Sequence, residues 1–466
     1  MSSALNLPEA ADVDALRAQI AGAVATAADP GYDALRASWN LTFDQRPALV
    51  VEAASADDVV AALAFARDRG LAVAVQSTGH GAAHTADGGL LVRTGRLLDV
   101  EVDPATRTAR IGAGARWSDV LPHVAPHGLA PLVGSSPNVG VVGYTLLGGL
   151  GHFSRKHGLA VDSVRAIDVV LPDATRLRVT SESEPDLFWA LRGGASNFGA
   201  VVALELALIE APALFGGMVM YPGERATETI AAYADWIATV PEEVSSAICV
   251  LRIPPLPIVP EPLRGRTVTV VSACVEADPA RAQELLAPIR ALGEPVADMM
   301  RPIEIGGLGE VVMDPVDPMP AAGHSDVVAG LTPEVQALLA GTAVGEQPFS
   351  MVEVRHLGGA LARAGVDGPI ARPAGDALFH VETVAPPGPA GEPVRAALRG
   401  LADALAPHVV GGPLPSFLGE LEPLTPARLA QAYAPEALPR LAALKHRYDP
   451  DDRFRFGRPI AQEWAG

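Results

Sequence analysis

Cysteine is almost absent from this chain of 466 residues, which contains only Cys249 and Cys274. Each lies within a strand-like run, SSAICVLRI or TVTVVSACVE. We therefore interpret both as small buried hydrophobic residues and not as a disulfide or a metal-binding pair.

Positive charge is also scarce. Lys and Arg number 35 against 54 Asp and Glu, the formal net charge is -19, and no run is rich in Lys or Arg. Nucleic acid is therefore not expected as a partner. The first residues, MSSALNLPEAADVDALRAQI, are acidic where a secretory signal needs basic residues. The apolar stretch 199–221 contains Glu205 and Glu210 and favours buried strand over a membrane span. We expect a soluble, cytoplasmic protein without a membrane partner.

Several sequence motifs that carry chemistry are missing. The chain has no G-x-S-x-G elbow, no H-E-x-x-H and no Walker A sequence. His123 and His127 are four residues apart, but Pro126 between them argues against helical presentation, so no metal site is expected. The G-x-G-x-x-G fingerprint is absent too. A large α/β protein without it must bind any phosphate by another route.

The residues that are present indicate two domains or one large composite. Apolar residues make up 49% of the chain, and the 46 Gly and 42 Pro indicate many turns between short elements. A helical leader is predicted first. The segment PALVVEAASADDVVAALAFARDRGLAVAVQSTGHG then predicts strand, helix and strand, with Ser55 as N-cap and Gly70 as C-cap. From about Phe215, longer alternating strands separated by helices and Pro-rich loops indicate a second domain.

Three segments could turn several backbone N–H groups toward one point, as anion-binding nests do. They are the loop from Ser77 to His84, the segment from Gly134 to Gly151, and Asn197-Phe198-Gly199. A single Gly-rich loop is most often ordinary turn chemistry. In the first loop, however, His80 stands between two glycines, where the backbone can bend sharply and approach another molecule closely.

Four motifs in this order resemble those of the FAD-linked oxidoreductases with a p-cresol methylhydroxylase/vanillyl-alcohol oxidase type FAD domain, in the subset similar to berberine bridge enzyme. The motifs are VQSTGHG, SPNVGVVGYTLLGGLG, DLFWALRGGASNFG and KHRYDPDDRFR. The resemblance implies an α+β fold: a two-part FAD-binding α/β domain, plus an inserted substrate domain with an antiparallel sheet and flanking helices. The boundaries expected are 1–29 for the leader, 30–214 for the FAD domain, 215–420 for the substrate domain and 421–466 for a C-terminal segment that returns to the FAD domain.

The resemblance also implies roles for individual residues. His80 matches the histidine that bonds covalently to the flavin 8α carbon, which would raise the flavin potential; an ordinary loop histidine is the alternative. Residues 77–81 would bind the pyrophosphate, and glycines of the second segment would let the backbone approach the flavin. The full set implied for FAD is Ser77, Thr78, Gly79, His80, Gly81, His84, Ser136, Val139, Gly140, Gly143, Gly148, Gly149, Gly151, Asn197, Phe198 and Gly199.

The sequence departs from the family pattern in three places. Many members have a cysteine that forms a second flavin bond just before a proline, and here Ser136 precedes Pro137. Ala437 and Leu438 replace a common Asn-Tyr pair, which places a catalytic tyrosine from that segment in doubt. Gly457-Arg458 replaces the usual Asn-Gln. A single covalent bond, through His80, follows from the first departure.

The function implied is an FAD-dependent oxidase. It would remove a hydride from a small organic substrate, an alcohol, sugar or secondary-metabolite intermediate, with molecular oxygen as acceptor. The alternative is a flavoprotein in which FAD shapes the pocket for a cyclisation or elimination without net redox change. A homodimer is left open.

Candidate catalytic residues come from strand alternation. In SMVEVRHLG, Met351, Glu353 and Arg355 share one face, and in DALFHVETV, His380 and Glu382 do so. If this polar face covers the flavin, a partly desolvated carboxylate or imidazole could act as general base. We favour Glu353 as base or substrate anchor, with His380 second. An Arg–Glu pair on a solvated face is the alternative.

Overall fold

The computed structural model describes residues 9–460 except 83, 364 and 419–423. Among these, a four-stranded sheet contains the predicted strand-helix-strand unit. Helix Ala56–Arg69 begins where Ser55 Oγ accepts a hydrogen bond from the Asp58 N–H, and ends at Gly70 with φ of 64°. Both predicted caps are thus confirmed. The strands, in spatial order, are Ala23–Ala25, Leu49–Glu52, Leu90–Arg93 and Val73–Gln76.

The predicted helical leader, residues 1–29, requires a correction. Helix Ala10–Arg17 is followed by strand Ala23–Ala25, which pairs antiparallel with Leu49–Glu52. Gly22 permits this pairing, since a Cβ there would lie 1.8 Å from the Glu52 carbonyl oxygen. A strand of three residues is too short to show a period in the sequence. Residues 1–8 lie outside the described residues.

A second, antiparallel sheet packs between this unit and a group of helices. Its predicted hairpin turns at Ala174, which has φ of 72°. In the described residues, its five strands are, in spatial order, Val100–Asp103, Thr108–Gly112, Ala200–Ala207, Val164–Val170 and Arg176–Val179. A short pair, Leu129–Ala130 and Ile209–Glu210, lies beside it. Helices Trp117–Val124, Val141–Leu146 and Pro185–Gly194 contribute residues to the core that this sheet shares.

The largest sheet is antiparallel throughout, and all its described strands lie between residues 214 and 411. Their spatial order is Ala297–Asp298, Leu214–Pro222, Thr267–Val275, Val244–Arg252, Met351–His356, Ala377–Val384, Ala321–Val328 and Val409–Gly411, with Arg301–Ile303 also pairing with Leu214–Pro222. One face packs against helices Ala226–Ile237, Pro279–Arg290, Pro333–Gly341 and Glu392–Leu405.

Strand alternation gives this sheet two different faces, because successive side chains point to opposite sides. Val352 and Val354 belong to the core shared with the helices. Met351 and Arg355 point the other way, toward the first two sheets, and line a cavity there. The sheet therefore has an apolar face packed against helices and a second face, with polar side chains, that borders the cavity.

The C-terminal part of the chain returns to the second sheet and its helices. Helix Ala437–Tyr448 packs against helix Pro185–Gly194, and its Leu441 and Ala442 are buried in the same core. Helices Tyr32–Arg36, Ser154–His157 and Pro426–Ala430 complete the α-helices of the described residues. The predicted boundary between residues 420 and 421 lies outside the described residues.

Candidate active site

A cavity of about 450 Å³ lies between the large sheet and the first two sheets. This volume falls within the range of roughly 300–1,000 Å³ that is usual for small-molecule sites. Its walls come from the loop around His80, the Gly134 to Gly151 segment, residues 194–197, the polar face of the large sheet and residues 456–458. The three segments that the sequence singles out therefore meet at one place.

The first loop bends at Gly79, which has φ of 84°. A Cβ at this position would lie 2.3 Å from Ser38 Oγ, and that hydroxyl donates a hydrogen bond to the Gly79 carbonyl at 2.8 Å. Only glycine fits both the positive φ and the close approach. Ser77, Thr78, Gly81 and His84 also line the cavity.

Two contacts fix the His80 ring. Its ring stacks on Trp39, with centroids 4.3 Å apart, and its Nδ1 lies 2.8 Å from Thr78 Oγ1. Its Nε2 is buried and has no hydrogen-bond partner among the described residues. Burial, together with the positive charge of Arg116, lowers the pKa of His80 to about 4. At neutral pH the imidazole is therefore uncharged, with one ring nitrogen free.

The second segment divides into two groups of glycines. Gly140 and Gly143 line the cavity together with Ser136 and Val139. A Cβ at Gly140 would approach Ser77 Oγ to 3.1 Å, so this glycine keeps the second segment close to the first loop.

The structure gives a different place to Gly148, Gly149 and Gly151, which do not line the cavity. Cβ atoms would lie 2.7 Å from the Tyr144 ring at Gly149 and 1.9 Å from the Val133 carbonyl oxygen at Gly151. A Cβ at Gly148 would contact Leu414. These glycines make room for protein atoms, above all for Tyr144, and not for a ligand.

Tyr144 is a cavity residue that the sequence did not single out. Its Oη is buried without a hydrogen-bond partner among the described residues, and its ring meets Trp117 edge-on at 5.6 Å. Burial raises the pKa of Tyr144, against the opposing charge of Arg355. The phenol is thus a neutral donor in the cavity wall.

Of the third segment, only Asn197 lines the cavity, and its Nδ2 donates to the Gly194 carbonyl at 2.8 Å. Phe198 is fully buried in the core, and a Cβ at Gly199 would lie 2.5 Å from the Val170 carbonyl oxygen. The prediction that all three contact FAD is therefore corrected: the last two residues pack within the protein.

The C-terminal segment reaches the cavity through Phe456, Gly457 and Arg458. Burial lowers the pKa of His84, and the positive charge of Arg458 lowers it further. Ala437 and Leu438 are buried in the core and do not line the cavity.

The large sheet supplies Arg355, His380 and Glu382 to the cavity wall. His380 Nδ1 lies 2.8 Å from Ser325 Oγ, and its Nε2 lies 3.5 Å from Glu382. Burial alone would raise the pKa of Glu382, but the bond to His380 and the charges of His380 and Arg355 outweigh it and lower the pKa. Phe417 packs edge-on against His380 and lies beneath the Arg355 guanidinium at 5.1 Å.

Glu353, the favoured candidate from the sequence, does not line the cavity. It is 6% exposed, and Arg355 Nε donates a hydrogen bond to its Oε1. Strand alternation correctly places Glu353 and Arg355 on the same face of the sheet. Arg355 lines the cavity, however, and Glu353 lies behind it and binds its guanidinium. We therefore revise the order of the candidates and place His380 before Glu353.

Asp314 is an acidic cavity residue that sequence reasoning missed. It accepts a hydrogen bond from Ser135 Oγ at 2.9 Å. Burial raises its pKa, and the charges of Glu353 and Glu382 add to this, while Arg355 and the Ser135 bond oppose it. Its surroundings, VVMDPVDPMP, carry no strand or helix period, so only the neighbouring prolines mark the segment as a loop.

No group of three or more His, Cys, Asp or Glu side chains with metal-binding geometry occurs among the described residues. In the same part of the chain, no helix is long and apolar enough to cross a membrane.

Residues 47–180 match the family model of an FAD binding domain. The solved structure of 6-hydroxy-D-nicotine oxidase from Arthrobacter nicotinovorans superposes with a TM-score of 0.80 and 26% sequence identity, over 95% of this chain and 98% of that one. The chain thus contains an FAD binding domain over these residues and resembles the FAD-linked oxidoreductases in its overall fold. The predicted resemblance and the predicted α+β fold class are thereby confirmed.

Other relatives of the chain match over shorter stretches or by fold alone. (R)-6-Hydroxynicotine oxidase from Paenarthrobacter nicotinovorans is 36% identical over 195 residues, 41% of this chain and 43% of that protein. Xylooligosaccharide oxidase from Thermothelomyces thermophilus is 36% identical over 171 residues, 36% of this chain and 34% of that protein. The aligned part thus spans less than half the length of either relative. Chitooligosaccharide oxidase shares the fold, with a TM-score of 0.80 at 20% identity, over 96% of this chain and 99% of that one.

The residues that line the cavity fit FAD. Gly79 and Gly140 bring two stretches of backbone to the cavity surface, where a dinucleotide can be approached closely. The buried Nε2 of His80 lacks a protein partner among the described residues, as expected of an atom that meets a cofactor. The polar sheet face lies across the same cavity and leaves a substrate side opposite the glycine loops.

Proposed function

We propose that this chain is an FAD-dependent oxidase that removes a hydride from a small organic substrate, with molecular oxygen as acceptor. The observation that supports this most is one cavity that joins the His80 loop to the His380–Glu382 pair. Bound FAD would supply the hydride acceptor and return the electrons to oxygen. The oxidase names of the relatives favour the same reaction class.

The flavin is proposed to be bonded to the protein through His80. Thr78 engages Nδ1 and Trp39 fixes the ring plane, so the free Nε2 is the nitrogen available to the flavin 8α carbon. Its low pKa keeps the lone pair unprotonated at neutral pH. Ser136 lines the cavity but offers no thiol, so a single covalent bond is proposed.

His380 is the proposed proton acceptor. Ser325 holds the ring through Nδ1, and the carboxylate of Glu382 would stabilise the imidazolium that forms when the substrate loses its proton. Arg355 presents its guanidinium at the same wall, held in place by Glu353 and Phe417, and would orient the substrate.

We expect His380→Ala to slow anaerobic flavin reduction by roughly a hundredfold or more, because a positioned general base contributes about that much. Flavin content should stay at the wild-type level. His408→Ala, outside the cavity lining, is the matched control and should reduce at the wild-type rate. Stopped-flow absorbance measures both. If Glu353→Gln reduced its flavin about a hundredfold more slowly and His380→Ala reduced it at the wild-type rate, Glu353 would be the general base.

The second candidate function is a cyclisation or elimination without net redox change, with FAD in a structural role. It is favoured by the burial of Ala437 and Leu438, since no tyrosine among the described residues 424–460 lines the cavity. We expect instead that a substrate will bleach the flavin without oxygen, and that admitting air will restore the colour. Turnover of a substrate to an isomeric product with no bleaching would favour the second candidate and contradict the oxidase.

A further inference from the structure

Trp39 is a cavity residue that joins the His80 loop to a distant part of the chain. Its indole lies nearly parallel to the His80 imidazole, with ring centroids 4.3 Å apart and ring planes inclined by 17°. Its Nε1–H donates a hydrogen bond to the Val316 carbonyl at 3.1 Å. Val316 lies in the segment that leads into strand Ala321–Val328 of the large sheet. One side chain therefore contacts both the first loop and the substrate side of the protein.

The backbone around Trp39 is fixed by the same two parts of the chain. The Trp39 N–H donates to the Thr78 carbonyl at 3.0 Å, and the Trp39 carbonyl accepts from the Met319 N–H at 3.1 Å. The neighbouring Asn40 side chain donates to the Ala321 carbonyl at 3.0 Å and accepts from the Ala321 N–H at 3.2 Å. The position of the Trp39 backbone is thus set on two sides, and the bond from its Nε1–H sets the orientation of the indole.

Attachment of the flavin to His80 depends on the orientation of the imidazole. The step replaces one hydrogen of the flavin 8α carbon and the imidazole N–H hydrogen by a carbon–nitrogen bond. The two electrons and two protons removed pass to molecular oxygen, which becomes hydrogen peroxide. The reacting lone pair lies in the plane of the imidazole, so a tilted ring points it away from the carbon. A misplacement of about 1 Å can slow such a reaction roughly a hundredfold.

The Thr78 hydroxyl fixes only one atom of the imidazole, Nδ1. A hydrogen bond tolerates a range of angles, so this contact by itself permits the ring to tilt. A stacked aromatic ring restricts the tilt, because the two faces separate when either ring turns. Trp39 supplies this second restraint, and Val316 holds Trp39 in place.

We propose that Trp39 is a positioning residue for flavin attachment, and that its indole, held by the Val316 carbonyl, sets the plane of the His80 ring. This inference rests on the proposed covalent linkage through His80 and is independent of the oxidase reaction. It implies that attachment requires a flat ring at position 39 and not merely a side chain of sufficient volume.

The test uses the full-length chain, produced without flavin in a riboflavin-starved host and then mixed with FAD in air. Acid precipitation at successive times measures the attached flavin in the pellet, and gel filtration before acid treatment measures all bound flavin. We expect Trp39→Leu, which lacks a flat ring, to bind FAD but attach it about a hundredfold more slowly than wild type. Trp39→Phe restores a flat ring without the N–H donor and should attach flavin within about tenfold of the wild-type rate.

The matched control is Leu41→Ala, a change of an exposed side chain in the same segment, which should attach flavin at the wild-type rate. Trp39→Met is a second variant without a flat ring, to be used if Trp39→Leu is insoluble. If the flavin-free chain does not fold, protein from a flavin-replete host is compared by the attached fraction of its bound flavin. The attached fraction should then be high in wild type and Trp39→Phe and low in Trp39→Leu.

Wild-type protein that attaches no flavin would overturn both the His80 linkage and this inference. Normal attachment in wild type with an equal rate or fraction in Trp39→Leu would overturn this inference and leave the linkage intact. The same holds if Trp39→Phe is as slow as Trp39→Leu, or if Trp39→Leu no longer binds FAD at all. In those two cases Trp39 would support the cavity without orienting the imidazole.

Discussion

After acid precipitation of the wild-type protein, we expect the yellow flavin to remain in the pellet, and His80→Ala to release it into the supernatant. The reason is geometric: the buried Nε2 of His80 has no protein partner among the described residues, and Thr78 and Trp39 leave it as the reactive nitrogen. Absorbance of pellet and supernatant, with mass spectrometry of the flavin peptide, measures the linkage.

The matched control is His84→Ala, since His84 lies in the same loop and lines the same cavity. This variant should keep its flavin through precipitation. Wild-type protein that releases all its flavin would show that the His80 assignment is wrong. Retention in His80→Ala would show that another side chain forms the bond.

Local signals were enough to predict the first part of the fold. Ser55 and Gly70 mark the ends of helix Ala56–Arg69, because a hydroxyl cap and a positive φ are requirements of the backbone itself. The short strand Ala23–Ala25 was missed because its three residues are determined by close packing of Gly22 on Glu52. Such a contact between distant segments leaves no period in the sequence.

The glycines show a similar limit. Sequence identifies Gly140 and Gly149 equally as positions without a Cβ, but it does not reveal what the missing atom would meet. In the structure, Gly140 lies at the cavity, whereas Gly149 accommodates the Tyr144 ring. The family resemblance predicts that the three segments meet. It does not predict which residues of each segment line the cavity and which pack against other protein atoms.

The sequence predicts which face of the large sheet turns toward the cavity, but it does not predict which side chains on that face reach the cavity. Alternation places Glu353 and Arg355 on one side of their strand, but the ion pair between them puts the arginine at the cavity and the glutamate behind it. Asp314 lies in a Pro-rich loop without periodicity, and at the cavity it accepts a hydrogen bond from Ser135, which is distant in the sequence.

Lys445 is a buried charge that attaches the C-terminal segment to the backbone at Asn197. Its Nζ donates to the Asn197 carbonyl at 2.9 Å, to Asp449 at 2.5 Å and to the Phe454 carbonyl at 3.2 Å. Asp449 in turn accepts hydrogen bonds from the backbone N–H groups of Arg453 and Phe454. The turn leading to Phe456, Gly457 and Arg458 at the cavity is therefore built on this ion pair.

We expect Lys445→Met to lower the free energy of unfolding by about 3–5 kcal/mol, because it removes the ammonium from a buried ion pair and leaves the buried Asp449 carboxylate without that charge beside it. Lys445 is 1% exposed and Asp449 0%, so water cannot replace the lost ammonium without disturbing the fold. Thermal unfolding of wild type and variant at one scan rate, followed by circular dichroism, measures the change.

The matched control is Arg447→Met on the same helix, where the side chain is largely exposed and its contact with Asp186 is 3.5 Å long. This change should alter the stability by no more than about 0.5 kcal/mol. In Lys445→Met the flavin fluorescence should also change, because the Asn197 and Gly457 sides of the cavity lose their common support. Equal stability of the two variants would mean that Asp449 is held without help from Lys445. The C-terminal turn would then reach the cavity without help from the lysine.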